Sequence, residues 1–164
     1  MTNVFGILVF NPGSCTGCRI CEMACSFFHY KEYNPSRSRI RVLKVEKEGI
    51  YIPMACLHCG NPPCVDACPT GAMYRSDGSV ELDPKKCINC RMCMLACPFG
   101  AISVDRVTMN VIKCDLCGGD PQCAKYCPAG AVKYVRVERA GEMRRRSYAD
   151  RTAGAISLSQ SKGW

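Results

Sequence analysis

Two histidines, one tryptophan and no long apolar run characterise this 164-residue chain, and each scarcity closes off a class of function. With only His29 and His58 available, zinc sites that mix cysteine and histidine are poorly supplied. No segment approaches the roughly eighteen apolar residues of a bilayer-crossing helix, so no membrane span is expected. There is no G-x-G-x-x-G after a strand, no G-x4-G-K-[ST] phosphate loop and no nucleophile elbow. The usual nicotinamide, flavin, nucleotide triphosphate and hydrolase sites are therefore not indicated. No twin-arginine signal opens the chain, and the apolar run Val4 to Phe10 lacks basic residues before it and a small-residue cleavage site after it. That run reads as a strand, and a reducing cytoplasm is the expected location.

What the chain has in abundance is cysteine, sixteen in all. They fall into four quartets with none left over: Cys15, Cys18, Cys21, Cys25; Cys56, Cys59, Cys64, Cys68; Cys87, Cys90, Cys93, Cys97; and Cys114, Cys117, Cys123, Cys127. Two read C-x2-C-x2-C-x3-C and two widen only the middle gap. This spacing wraps three thiolates around a cubane of iron and sulfide and sends the fourth to another cluster. Pro69, Pro98 and Pro128 each follow a fourth cysteine, as in bacterial ferredoxins. Four [4Fe-4S] clusters and a role in electron transfer are expected.

The formal charge of +8 would ordinarily suggest a polyanionic partner. A cubane with four thiolates carries about −2, so four clusters contribute roughly −8 and cancel the excess. The few aromatics show no base-stacking arrangement, and nucleic acid is not an expected partner.

The quartets alternate between two kinds. Asn11-Pro12-Gly13-Ser14-Cys15 resembles Asp83-Pro84-Lys85-Lys86-Cys87, each entered from a strand-like run, Ile7 to Phe10 and Val80 to Leu82. Met54-Ala55-Cys56-Leu57-His58-Cys59 resembles Ile112-Lys113-Cys114-Asp115-Leu116-Cys117, each with a proline turn in its widened gap. The exits Cys68-Pro69-Thr70-Gly71-Ala72, Cys97-Pro98-Phe99-Gly100-Ala101 and Cys127-Pro128-Ala129-Gly130-Ala131 share one pattern. This order implies a duplicated unit of loop, short helix, turn and strand. Third and fourth cysteines lie one helical turn apart, proline stops the helix, and strands such as Ala131 to Val137 follow.

Cys25 departs from the pattern, being followed by Ser26, Phe27, Phe28, His29 and Tyr30. Beyond it, Arg39 to Val45 alternates apolar and basic residues, and Glu46 to Gly49 turns into Ile50 to Pro53, which predicts a β-hairpin over one flank of the core. After Val137 the composition shifts to Arg139, Arg144, Arg145, Arg146 and Arg151 with Ser, Gly and Ala. Two readings stay open for this tail: a solvated terminus, or an arm docking through Tyr148, Ile156, Leu158 or Trp164. The residues Ile20, Met23, Leu57, Val65, Ile88, Met92, Met94 and Leu95 are expected to shield the clusters from water. His58 is expected either to hydrogen-bond near the sulfurs or simply to pack, and His29 to pack or lie at the surface rather than ligate.

The ferredoxin rule groups three cysteines of one quartet with the last of its partner. The interval Cys68 to Cys87 suits a pairing of quartets two and three, but spacing alone leaves the choice open. The quartets, the Cys-Pro exits and the short fourth gap resemble the polyferredoxin subunits that accompany molybdenum and tungsten oxidoreductases, over about residues 5 to 137. That resemblance implies Cys15, Cys18, Cys21 with Cys127; Cys114, Cys117, Cys123 with Cys25; Cys56, Cys59, Cys64 with Cys97; and Cys87, Cys90, Cys93 with Cys68. It also implies an α+β fold of duplicated bacterial-ferredoxin-like units with a β-hairpin insertion and a C-terminal tail. The units would be 1–30 with 107–137, and 54–106, with the hairpin at 31–53 and the basic tail at 138–164.

Cys25-Ser26-Phe27-Phe28-His29 and Asn34-Pro35-Ser36-Arg37-Ser38-Arg39-Ile40 are most similar to the small subunits beside tungsten aldehyde oxidoreductases. Subunits of the dimethyl sulfoxide reductase and formate dehydrogenase types often carry a longer fourth-quartet insert and, in some, a membrane anchor, so a membrane quinone partner is not expected. The resemblance thus implies a non-catalytic relay between a tungsten- or molybdenum-pterin subunit and a flavin subunit or ferredoxin-type acceptor. The alternatives are a relay subunit of a hydrogenase, formate dehydrogenase or carbon monoxide dehydrogenase, and, remotely, a zinc-stabilised binding module. Self-association into longer wires is a further option, with the tail bridging neighbours.

Overall fold

The strand-forming runs are short, three to five residues each, and several end at a proline or glycine turn. The structure, a computed structural model, describes residues 6–143 together with 145, 146, 148, 149 and 152. Eight strands form four separate antiparallel pairs among these residues. β1 (Gly6–Phe10) pairs with β8 (Val132–Arg136), so that Phe10 faces Val132 and Gly6 faces Arg136. The beginning and the end of the cysteine-bearing region are thus joined by one ladder.

The predicted hairpin is formed by β2 (Arg41–Val45) and β3 (Ile50–Met54), turned through a short 3-10 segment at Glu46–Glu48 and a left-handed Gly49. Two more hairpins follow, β4 (Met73–Ser76) with β5 (Ser79–Leu82), and β6 (Ile102–Val104) with β7 (Val111–Lys113). The first of these turns on Asp77-Gly78, both at positive φ, as a two-residue hairpin requires.

Between the strands stand four helices: α1 (Ile20–Tyr30), α2 (Pro63–Asp66), α3 (Met92–Ala96) and α4 (Gln122–Lys125). The last three are a single turn or little more, because each runs into the Cys-Pro exit. There Gly71, Gly100 and Gly130 adopt φ of 63°, 59° and 61°, and each donates its N–H to the carbonyl of the fourth cysteine of its quartet at 3.2–3.3 Å. A side chain at these positions would meet the left-handed penalty that glycine escapes. α1 has Ser26 where the others have proline, and it continues to Tyr30 before a left-handed Lys31 ends it.

Apolar burial divides into two clusters. One gathers Leu8, Cys21, Cys25, Ile40, Val42, Ala55, Cys56, Cys114, Leu116, Cys123 and Val132. The other gathers Cys64, Met73, Val80, Cys93, Ile102 and Val111. Cysteine is a principal core residue in both. Buried charges brace the elements: Glu22 of α1 accepts the Val42 N–H at 2.8 Å and pairs with Arg19, tying the helix to the hairpin. Arg37 reaches across to Asp105 in the β6–β7 turn.

One expectation is corrected. Ile20, Ile88, Met92 and Leu95 do not line the core; Leu95 is 83% exposed and Ile88 64%. Two residues after Cys93 is about 200° around a helix, so Leu95 falls on the face opposite the buried thiol. Val65 and Met94 do pack on the second cluster. Of the tail, residues 137–143 are helical and Ala140 is buried. Tyr148 is exposed, while Ile156, Leu158 and Trp164 lie outside the described residues.

Candidate metal centre

Each C-x2-C pair closes through the same backbone device. The residue before the second cysteine has positive φ in all four quartets: Gly17 (70°), His58 (47°), Asn89 (56°) and Leu116 (56°). In the first and third quartets a left-handed arginine, Arg19 or Arg91, follows and starts the helix that carries the third cysteine. Such reversals turn consecutive N–H groups toward the inside of the loop, the arrangement that cradles an anion. At Gly17 the demand is strictest, because a Cβ would lie 2.6 Å from the Tyr51 ring.

All sixteen thiols are unbridged. Cys15, Cys18 and Cys21 line one small cavity together with Cys127, although Cys127 belongs to the last quartet. Thiols of different quartets also lie near enough to influence one another. Cys64 is affected by Cys56 and Cys97, and Cys93 by Cys87, Cys68 and Cys90. Cys123 is affected by Cys114, Cys25, Cys117 and Cys21, and Cys21 by Cys127 and Cys18. The structure thus sets Cys127, from the last quartet, beside Cys15, Cys18 and Cys21.

Burial raises the third-position thiols: Cys21 is pushed up to about 12, with Glu22 adding to the effect, Cys64 to about 11, and Cys93 and Cys123 also upward. The deeply buried Cys114 is likewise pushed up to about 12. Without a metal these thiols hold their protons, and iron binding must displace them. Two fourth-position thiols behave oppositely. Burial would raise Cys25 and Cys68, but hydrogen bonds outweigh it, from His29, the Arg39 N–H (3.3 Å) and Ser38 for the first, and from the Met73 N–H (3.4 Å) and Thr70 for the second. N–H donors aimed at sulfur favour the thiolate. The donor set is soft, deprotonable on metal binding and grouped in fours, which fits [4Fe-4S] clusters.

His29 and His58 take different parts. Nε2 of His29 lies 3.4 Å from Asp115 and 3.9 Å from Cys117 Sγ. Burial pushes its pKa down, but hydrogen bonds to Asp115, Cys117 and Cys25 carry it up to about 11. Asp115 is in turn held by Arg39 and caps the Cys117 N–H at 3.0 Å. His58 is buried, and its Nδ1 accepts the Val80 N–H at 3.0 Å. Burial first, and the charge of Lys113 second, lower it to about 3, so it is neutral.

Sequence reading did not single out Lys113, which is buried at the junction of the two cores, nor Glu22 and Asp105. A lysine precedes the first cysteine in two quartets, Lys86 and Lys113, and only folding distinguishes the exposed one from the buried one.

A family model described as a 4Fe-4S dicluster domain matches residues 47–137, and a second of the same description matches residues 14–73. The chain is 41% identical over 122 residues to the aliphatic sulfonate oxidoreductase polyferredoxin-like subunit of Pyrococcus furiosus, covering 73% of this chain and 70% of that one. It is 34% identical over 159 residues to the B subunit of the anaerobic dimethyl sulfoxide reductase of Escherichia coli, covering 84% and 76%. A third relative, the NADH-dependent phenylglyoxylate dehydrogenase subunit beta of Aromatoleum evansii, is 33% identical over 139 residues, but this chain spans only 31% of its length. Among the described residues no helix is long and apolar enough to cross a membrane. By its cysteine framework, by both family matches and by these relatives, the protein belongs to the 4Fe-4S dicluster ferredoxin family of iron–sulfur electron-transfer subunits of oxidoreductases.

Proposed function

We propose that the sixteen cysteines hold four [4Fe-4S] clusters in the crossed assignment: Cys15, Cys18, Cys21 and Cys127; Cys25, Cys114, Cys117 and Cys123; Cys56, Cys59, Cys64 and Cys97; Cys68, Cys87, Cys90 and Cys93. The observation that carries this reading is the shared cavity of Cys15, Cys18, Cys21 and Cys127, closed by the β1–β8 ladder. When bound, each cluster accepts and releases one electron. The chain's own residues supply the thiolates, the N–H donors to Cys25 and Cys68, and the apolar burial that keeps water away.

The frame is read as two ferredoxin-like units, 1–30 with 107–137 and 54–106, joined by the hairpin at 31–53, with 138–164 as a tail. In the complex it relays electrons between a catalytic tungsten- or molybdenum-pterin oxidoreductase subunit and a flavin subunit or ferredoxin-type acceptor in the cytoplasm. Likeness to an aliphatic sulfonate oxidoreductase subunit and to a dimethyl sulfoxide reductase subunit supports the oxidoreductase partner. Anaerobic purification with iron and sulfide analysis tests the cluster content, about sixteen iron per chain. For the crossing, Cys127→Ser and Cys15→Ser must alter the same cluster signal in electron paramagnetic resonance. If Cys127→Ser instead alters the signal changed by Cys114→Ser, the assignment is wrong.

A further inference from the structure

Lys113 closes β7 and is 3% exposed. Its ammonium donates to the carbonyl of Val80 and, at 2.6 Å, to the carbonyl of Cys114. Val80 belongs to the second core and Cys114 to the first, so the cation stands on the seam between them. His58 completes the clasp by taking the Val80 N–H, so that both backbone polar groups of Val80 are bound by a residue flanking a quartet cysteine.

Two carbonyls satisfy hydrogen bonding but not charge. A buried ammonium without a counter-ion is strongly unfavourable. Among the described residues no carboxylate pairs with Lys113, and the nearby Asp115 is engaged by Arg39 and His29. The ligand cysteines that Lys113 adjoins are Cys114, whose carbonyl it binds, and Cys56 and Cys59, whose loop holds the His58 that takes the Val80 N–H. Under the ligand assignment proposed above, these are members of two different clusters.

We propose that Lys113 is the shared internal counter-charge of the cluster held by Cys56, Cys59, Cys64 and Cys97 and of the cluster held by Cys25, Cys114, Cys117 and Cys123, and that it raises the reduction potential of both. Adding an electron to either cluster adds one negative charge on its own side of the ammonium. A fixed cation at the seam stabilises that charge in both directions, which lowers the penalty for holding the electron midway along the chain. The other two clusters, which draw on none of these three thiols, do not share the effect.

The inference rests on the four-cluster reading, and the unsubstituted chain tests that reading first. If anaerobically reconstituted full-length protein holds far less than about sixteen iron, the reading falls and takes the inference with it. If it holds four clusters, potentiometric titration followed by electron paramagnetic resonance compares it with Lys113→Met and Lys113→Arg. Cys59→Ser and Cys117→Ser identify the two signals concerned. In Lys113→Met both signals are expected to become harder to reduce by at least tenfold in equilibrium constant, 59 mV for one electron, while the other two stay in place and Lys113→Arg keeps the original values. Unchanged potentials, a shift of only one of the two, or a shift spread equally over all four overturns the proposal. Should Lys113→Met fail to load four clusters, Lys113→Arg decides. Full loading of the arginine variant supports the counter-charge, and failure of both shows that the lysine only packs and hydrogen-bonds.

Discussion

The guanidinium of Arg37 grips the carboxylate of Asp105 through two hydrogen bonds, Nε to Oδ1 at 3.0 Å and Nη2 to Oδ2 at 2.8 Å, across 68 residues of sequence. Arg37 also lies 3.7 Å over the Tyr30 ring, and Asp105 is fully buried while it caps the Val107 N–H and the Thr108 hydroxyl. The pair thus fastens the segment after α1 to the β6–β7 turn. Arg37 above all, and then Thr108 and Val107, hold the Asp105 carboxyl down at about 2 despite burial. Asp105→Asn is expected to cost roughly 2 kcal/mol at neutral pH. Because the folded value is depressed, the contribution is complete above the unfolded carboxylate range near 4 and is lost only as pH falls through about 2. The gap in thermal bleaching temperature between the parent and Asp105→Asn should therefore be flat from about pH 6 to 8. A gap that closes within that range would assign the effect to another group.

Gly17→Ala combines a left-handed backbone with a Cβ only 2.6 Å from the Tyr51 ring, inside the loop that joins Cys15 to Cys18. The backbone term alone is worth about 1–2 kcal/mol. The variant is expected to lose about a quarter of its iron and visible absorbance, leaving the other three signals in place. Full iron content in Gly17→Ala would show that the loop tolerates the shift.

His29→Phe removes the ring nitrogen that faces Cys117 and Cys25 while keeping an aromatic of similar size. Hydrogen bonds to ligand sulfur favour the reduced, more negative cluster. The signal assigned through Cys117→Ser should become harder to reduce, by up to about 1 kcal/mol, and the remaining three should not move. An equal displacement of all four would point to a change of fold instead.

Chelation of iron is expected to unfold the chain rather than leave a folded apo form. Cysteines make up much of both cores, and the short helices α2, α3 and α4 are too brief to persist alone. Loss of far-ultraviolet dichroism should coincide with bleaching when a chelator is added anaerobically. Retained helix and strand signals in a colourless product would refute this.

The parts of the fold set by local chemistry were legible in the sequence. Proline after Cys68, Cys97 and Cys127 ends each short helix, and its absence after Cys25 lets α1 run to Tyr30. The alternation after Arg39 gave the β2–β3 hairpin. What the residues alone did not yield depends on distant partners. Spacing left the partner of the first quartet open, because nothing near Cys15 reveals that β8 will bring Cys127 beside it. Glu22, Asp105 and Lys113 look like ordinary surface charges until partners 20 to 68 residues away bury them. The misplaced shielding role of Leu95 and Ile88 has a similar origin, since an apolar side chain in a loop or a one-turn helix has no periodicity to show which way it points.

Pairing of β1 with β8 also imposes an order on synthesis. The first thiols leave the ribosome more than a hundred residues ahead of Cys127. At translation speeds of about 5–20 residues per second, they wait roughly 5–20 s for their last companion. The stretch from Cys56 to Cys97 is far shorter and can be completed meanwhile. Maturation should then run from the middle of the polypeptide outward, leaving Cys15, Cys18 and Cys21 as the thiols most open to oxidation in a half-made chain.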